Sequence, residues 1–98
     1  MSKTPIYFMP GLAAGPEIFY KLSLDPNIYE SHYLTWKDPL GIEESISNYA
    51  MRMTAEIKHK KPILVGVSFG GIIVQEMSKF MDTQKIIIIS IRQFLDFP

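Results

Sequence analysis

Four short blocks along this chain are apolar or aromatic without a helical period: residues 6–9, 33–36, 63–67 and 85–90. Their β-branched and aromatic content predicts strands. The last block carries Ile86, Ile87, Ile88 and Ile89 in a row, apolar on both faces as in a central parallel strand. Between the second and third blocks, Ile42, Ile46, Tyr49, Ala50, Met53 and Ile57 recur at helical spacing, which predicts an amphipathic helix over residues 42–57. Glu43 and Glu44 fall in its first turn and lysines in its last, as the helix dipole favours. Met51 and Met53 read as packing residues. Another helix is expected over residues 69–81, and a short one over 17–22 behind Pro16. Asp25-Pro26-Asn27 and Asp38-Pro39-Leu40-Gly41 are the turns between elements. This alternation predicts a single α/β domain over residues 1–98, with a parallel sheet of about four strands and helices on both faces.

The junction between the third strand and its helix reads Gly66-Val67-Ser68-Phe69-Gly70-Gly71. A strand that turns sharply into a helix at a serine needs glycine two residues before and two after, because a Cβ at either flank has no room. Such a turn lifts the Ser68 hydroxyl clear of the sheet and aims the N-terminus of the helix at whatever that hydroxyl attacks. A bare G-x-S-x-G arises by chance in roughly 3% of chains this long. Its placement between an apolar strand and a helical pattern raises its weight. A phosphate-binding turn is the rival reading, but neither G-x-G-x-x-G nor a Gly-Lys-Ser/Thr ending is present.

At these residues the chain resembles the α/β-hydrolase family, and specifically the first half of that fold. The resemblance rests on the Gly66 to Gly71 segment as a nucleophile elbow and on Phe8-Met9-Pro10-Gly11-Leu12 as the strand and loop of an oxyanion hole. The chain has Pro10-Gly11 where many members have His-Gly. The resemblance implies that Ser68 is the nucleophile and Gly66 and Gly70 the elbow glycines. It further implies that the backbone N–H groups of Leu12 and Phe69 form the oxyanion hole and that the substrate is a small acyl compound. In the family the catalytic acid and histidine follow later strands, so the chain is expected to lack a complete triad. The competing expectation is a non-catalytic binding or assembly module that keeps the same scaffold.

Charge narrows the partners. Ten basic and ten acidic side chains balance to zero, so neither a nucleic-acid face nor a polybasic membrane patch is expected. Lys58-His59-Lys60-Lys61 reads as a solvated helix C-terminus. Cysteine is absent, which excludes disulfides and thiolate chemistry, and no cofactor or metal is called for. Lys3 ahead of Ile6-Tyr7-Phe8-Met9 and Ala13-Ala14 faintly mimics a signal peptide, yet Pro5 and Pro10 bracket a run too short for one. No stretch approaches the ~20 apolar residues of a membrane span, and a cytoplasmic location is the default expectation.

Serine needs a base, normally a histidine oriented by a carboxylate. The two histidines, His32 and His59, are each expected just before a strand, exposed and structural, at the end of the sheet away from Ser68. Asp96 reads as a solvated tail residue, and Lys37 and Asp38 as rim residues on the Ser68 side. The isoleucine strand has no following strand to pair with, so self-association through Ile86 to Ile89 is expected.

Overall fold

The computed structural model describes residues 3–12, 19–20, 22 and 24–90. Four strands, β1 (Thr4–Met9), β2 (Tyr29–Tyr33), β3 (Ile63–Val67) and β4 (Lys85–Ile89), form one sheet in the order β2-β1-β3-β4. Every pairing is parallel. Helix α1 (Ile46–Met53) runs into a 3-10 turn (Thr54–Glu56), and helix α2 (Phe69–Met77) follows β3 directly. The fold is therefore α/β, as the alternation of elements predicted.

Side-chain alternation along the strands divides the interior in two. Tyr7, Met9 and Leu64 point to the face where α1 and α2 lay Ala50, Met53, Ile73, Val74 and Met77. Ile6, Phe8, Ile63, Val65 and Val67 point to the other face, where Phe19 is buried against them. The Phe8 and Phe19 rings lie 4.8 Å apart. Leu64 is fully buried between α2 and the central strands, and truncating such a side chain to alanine costs about 2–5 kcal/mol. Both described helices thus cover one face. Of the helix expected over residues 17–22, residues 17, 18 and 21 lie outside the described residues, and Asp96 lies wholly outside them.

Several boundaries differ from the sequence expectation, each for a local reason. The second strand begins at Tyr29 rather than at residue 33, because an Asp25 turn hands the chain straight into it. Asp25 Oδ1 accepts from Asn27 N–H at 2.8 Å, and the Asp25 carbonyl accepts from Tyr29 N–H at 2.9 Å. Tyr29-Glu30-Ser31-His32-Tyr33 is largely polar because β2 is an outer strand among the described residues, and the apolar residues after it follow β1 beyond the end of β2. The helix expected from Ile42 starts at Ile46, where the Ser45 hydroxyl caps it by accepting from Asn48 N–H at 3.0 Å. Ile42 is fully exposed. Glu43 and Glu44 precede that cap instead of occupying the first turn. At the other end, Ile57 is already extended, so Lys58, His59, Lys60 and Lys61 belong to a loop and not to a helix terminus. Helix α2 stops at Met77 and continues only as turns through Phe80, with Ser78 donating its hydroxyl to the Gln75 carbonyl at 2.6 Å. β4 is an outer strand among the described residues rather than a central one, and Ile87 and Ile88 are exposed. No described helix is long and apolar enough to cross a membrane.

Candidate active site

β3 ends at Val67 and α2 begins at Phe69, so Ser68 alone makes the turn. It does so at φ 56°, ψ −121°, the only positive φ at a non-glycine among the described residues. Its neighbours leave little choice of residue. A Cβ on Gly66 would stand 2.3 Å from the Gly70 carbonyl oxygen and 2.6 Å from Gly71 Cα. A Cβ on Gly70 would stand 2.5 Å from the carbonyl oxygens of both Met9 and Pro10. These are backbone atoms that cannot swing aside, so glycine at both positions lets α2 sit down on the ends of β1 and β3. Ser68 itself is exposed. Its N–H donates to the Ile89 carbonyl at 2.8 Å, and its carbonyl accepts from Gly71 N–H at 2.9 Å.

The loop after β1 passes beside this turn. A Cβ on Gly11 would lie 3.8 Å from Ser68 Cβ and 3.6 Å from the Val67 carbonyl oxygen, ordinary contact distances. Trp36 fixes the loop from the far side, its indole N–H donating to the Gly11 carbonyl at 2.9 Å. The same indole stacks on Phe69, with centroids 5.8 Å apart and planes 11° off parallel. Trp36 gets there because the chain keeps tracking β1 past the end of β2, with Leu34 N–H donating to the Phe8 carbonyl at 2.8 Å. Leu12 and Phe69 then open onto one cavity of about 430 Å³, walled also by Trp36, Pro39, Ile42 and Ile73. Its lining is mostly apolar, with Lys37, Glu44 and Ser45 also bordering it and Ser68 not among the lining residues, and it lies at the carboxyl end of a parallel sheet, where α/β proteins bind ligands.

A carboxylate braces the outer wall of this cavity. Glu44 accepts from Arg52 Nε at 2.7 Å and Nη2 at 2.8 Å, from Leu40 N–H at 2.9 Å and from Asn48 Nδ2 at 2.7 Å. The Arg52 hydrogen bond leads in pulling the Glu44 pKa from 4.5 down to about 2. Arg52 also donates to the Asp38 carbonyl at 3.0 Å, so residues 38–44 are fastened to α1. Tyr49 donates its hydroxyl to the Lys37 carbonyl and accepts from Lys37 N–H, both at 2.7 Å. Burial pushes the Tyr49 phenol upward.

The remaining sequence candidates fall elsewhere. The Lys37 ammonium pairs with Glu56 at 2.9 Å, which lowers the Glu56 pKa. His32 does not precede β2 but stands inside it, opposite Tyr7, which in turn pairs with Leu64. Four residues along β3 and two strands across separate that register from Ser68, about 13 Å by 10 Å. His59 does lie before β3, with its Nδ1 2.8 Å from the Tyr7 hydroxyl. Neither imidazole reaches Ser68. Both are half-buried and engaged with Glu30 rather than free at the surface. Trp36, Tyr49 and the Glu44–Arg52 pair went unread as site residues, although a tryptophan just beyond a strand on the serine side was a usable signal.

Comparison with known proteins gives no matching family model and no matching curated protein. The functional reading therefore stands on the site's geometry and on the elbow motif.

Proposed function

We infer that this chain is the nucleophile-bearing, N-terminal part of a serine hydrolase that acts on an ester, thioester or amide through an acyl-Ser68 intermediate. The observation that carries the reading is the seat of Ser68, exposed at φ 56° between a strand and a helix. A residue held in such a conformation persists only where its surroundings impose it, and sites of chemistry are where such residues gather. In this reaction Ser68 Oγ bonds to the substrate carbonyl carbon while the backbone N–H groups of Phe69 and Leu12 meet the charge on its oxygen. Collapse of that adduct breaks the bond to the alcohol, thiol or amine, and water later releases the acid. The mostly apolar cavity beside Leu12 and Phe69 suits the hydrocarbon part of an acyl group. The base that takes the Ser68 proton is neither His32 nor His59, so the 98-residue chain alone is expected to turn over activated esters negligibly.

The elbow can be tested without that base. Ser68→Cys introduces the chain's sole thiol, and a thiol at a helix N-terminus facing backbone donors ionises below its free value of ~8.5. Alkylation with iodoacetamide across pH is expected to titrate at least one unit lower, on the order of the shifts seen at such termini. A thiol titrating at its free value would reject the oxyanion-hole reading. The competing reading, an assembly module, is favoured by β4, whose outer edge meets no other strand among the described residues.

A further inference from the structure

Away from Ser68, Glu30 and His32 stand two residues apart on β2, so both side chains leave the same face of the sheet. The loop between α1 and β3 brings His59 to meet them. Glu30 Oε2 is 2.5 Å from His32 Nε2 and 3.3 Å from His59 Nε2. One ligand atom from each residue lies within 4.8 Å of the other two. A four-coordinate ion with bonds of ~2.0–2.2 Å spaces its ligand atoms by about 3.3–3.5 Å. Shifts of up to about 1.5 Å in the ligand atoms bring the set to that spacing.

One buried side chain orients both rings. Tyr7, almost without solvent exposure, stacks on His32 with centroids 4.6 Å apart and planes 16° off parallel. Its hydroxyl lies 2.8 Å from His59 Nδ1 and accepts from Lys58 N–H at 3.0 Å. This occupies the Nδ1 side of His59 and turns Nε2 toward Glu30. Histidines that ligate metals are held in this manner, with a fixed hydrogen bond at one ring nitrogen and the metal at the other.

We propose that Glu30, His32 and His59 form a divalent-cation site of the zinc class, with water in the remaining position, clasping the loop before β3 to the outer strand β2. Two imidazoles and one carboxylate suit zinc, whereas magnesium and calcium take oxygen ligands. The three side chains are one third to one half exposed, so an ion can enter and a water can complete its shell. The site is independent of the hydrolase reading.

The test uses the untagged 98-residue chain with Zn²⁺, Co²⁺ and, as a control, Mg²⁺. Zn²⁺ at a hundred-fold excess over its Kd is expected to raise the melting midpoint by about 11–22 °C, and Mg²⁺ to leave it unchanged. Co²⁺ is expected to give the intense visible absorption of a low-coordinate ion. His32→Ala and His59→Ala should each abolish both signals, and Tyr7→Phe should weaken binding by ~10–100-fold. Nitrogen NMR of the unmodified chain decides the matter even if an alanine variant fails to fold, because Zn²⁺ must move the Nε2 resonances of both histidines. Unmoved Nε2 resonances, or Zn²⁺ binding that survives in both alanine variants, would overturn the proposal.

Discussion

The conformation of Ser68 should be measurable as stored strain. At φ 56°, ψ −121° the residue occupies a region that glycine visits freely and side chains avoid. Such a conformation costs on the order of 1–3 kcal/mol. Replacing Ser68 by glycine removes that cost but adds freedom to the unfolded chain, worth about 0.4–1 kcal/mol in the opposite direction. Alanine keeps the strain and removes only the hydroxyl, which is exposed and makes no capping hydrogen bond to α2. Ser68→Ala is therefore expected within ~0.5 kcal/mol of the parent chain. Ser68→Gly is expected about 1 kcal/mol above it. For a domain of this size that separates the two melting midpoints by ~4–8 °C. Thermal melts followed by circular dichroism, with urea titrations to check that the m-value is shared, read the difference. A glycine variant no more stable than the alanine variant would mean that the turn is relaxed, and with it would go the main reason to regard Ser68 as more than an incidental surface residue.

Other perturbations have equally definite outcomes. Gly70→Val should lose more than ~3 kcal/mol or fail to fold, since its Cβ meets the backbone oxygens of Met9 and Pro10 at 2.5 Å; a cooperative melt near the parent's would contradict the close approach. Glu44, held at about 2 against an ordinary 4.5, contributes stability that is complete above pH 4.5 and fades as pH falls toward 2. Glu44→Gln should flatten the acid limb of the stability profile over that window, and an unchanged limb would show that the Arg52 clamp does not form in solution. Ile87→Lys, at an exposed position of β4, should shift the chain toward monomer in light scattering. A parent chain that is already a monodisperse monomer would end the self-association idea.

How legible the fold was depended on where each segment sits. β3 matched its predicted limits residue for residue, because a strand buried on both faces between two others must be apolar throughout and must stop where Ser68 turns. β2 was misplaced because an outer strand can be polar, and the apolar signal then follows the residues after it, Leu34 and Trp36, which serve the interior and the cavity instead. The helix before β3 was found by its period but begun four residues early. Ile42 keeps the period while the Ser45 cap and the bonds to Glu44 fix the chain ahead of it in another form. At the site, Gly66 carried its own geometry, since its clash with Gly70 and Gly71 is local, whereas the need for Gly70 comes from the Met9 and Pro10 carbonyls of β1 and its loop and was legible only through the motif. The gathering of Glu30, His32, His59 and Tyr7 was invisible, because it requires knowing that β2 lies beside β1 and that the loop before β3 folds over both.

The hydrogen bond from Ser68 N–H to the Ile89 carbonyl ties the turn to β4, the outermost strand on that side of the sheet among the described residues. Outer strands open at lower free-energy cost than the strands they flank, in fluctuations that leave the rest of the domain intact. Each time β4 frays at its carboxyl end, the Ser68 amide becomes free to exchange its proton with solvent while the β3 amides that face β1 stay protected. Deuterium uptake at that single amide would thus report the lifetime of the assembled turn. A strand added along β4 would slow that uptake from a distance, holding the serine in place through its neighbour's backbone alone.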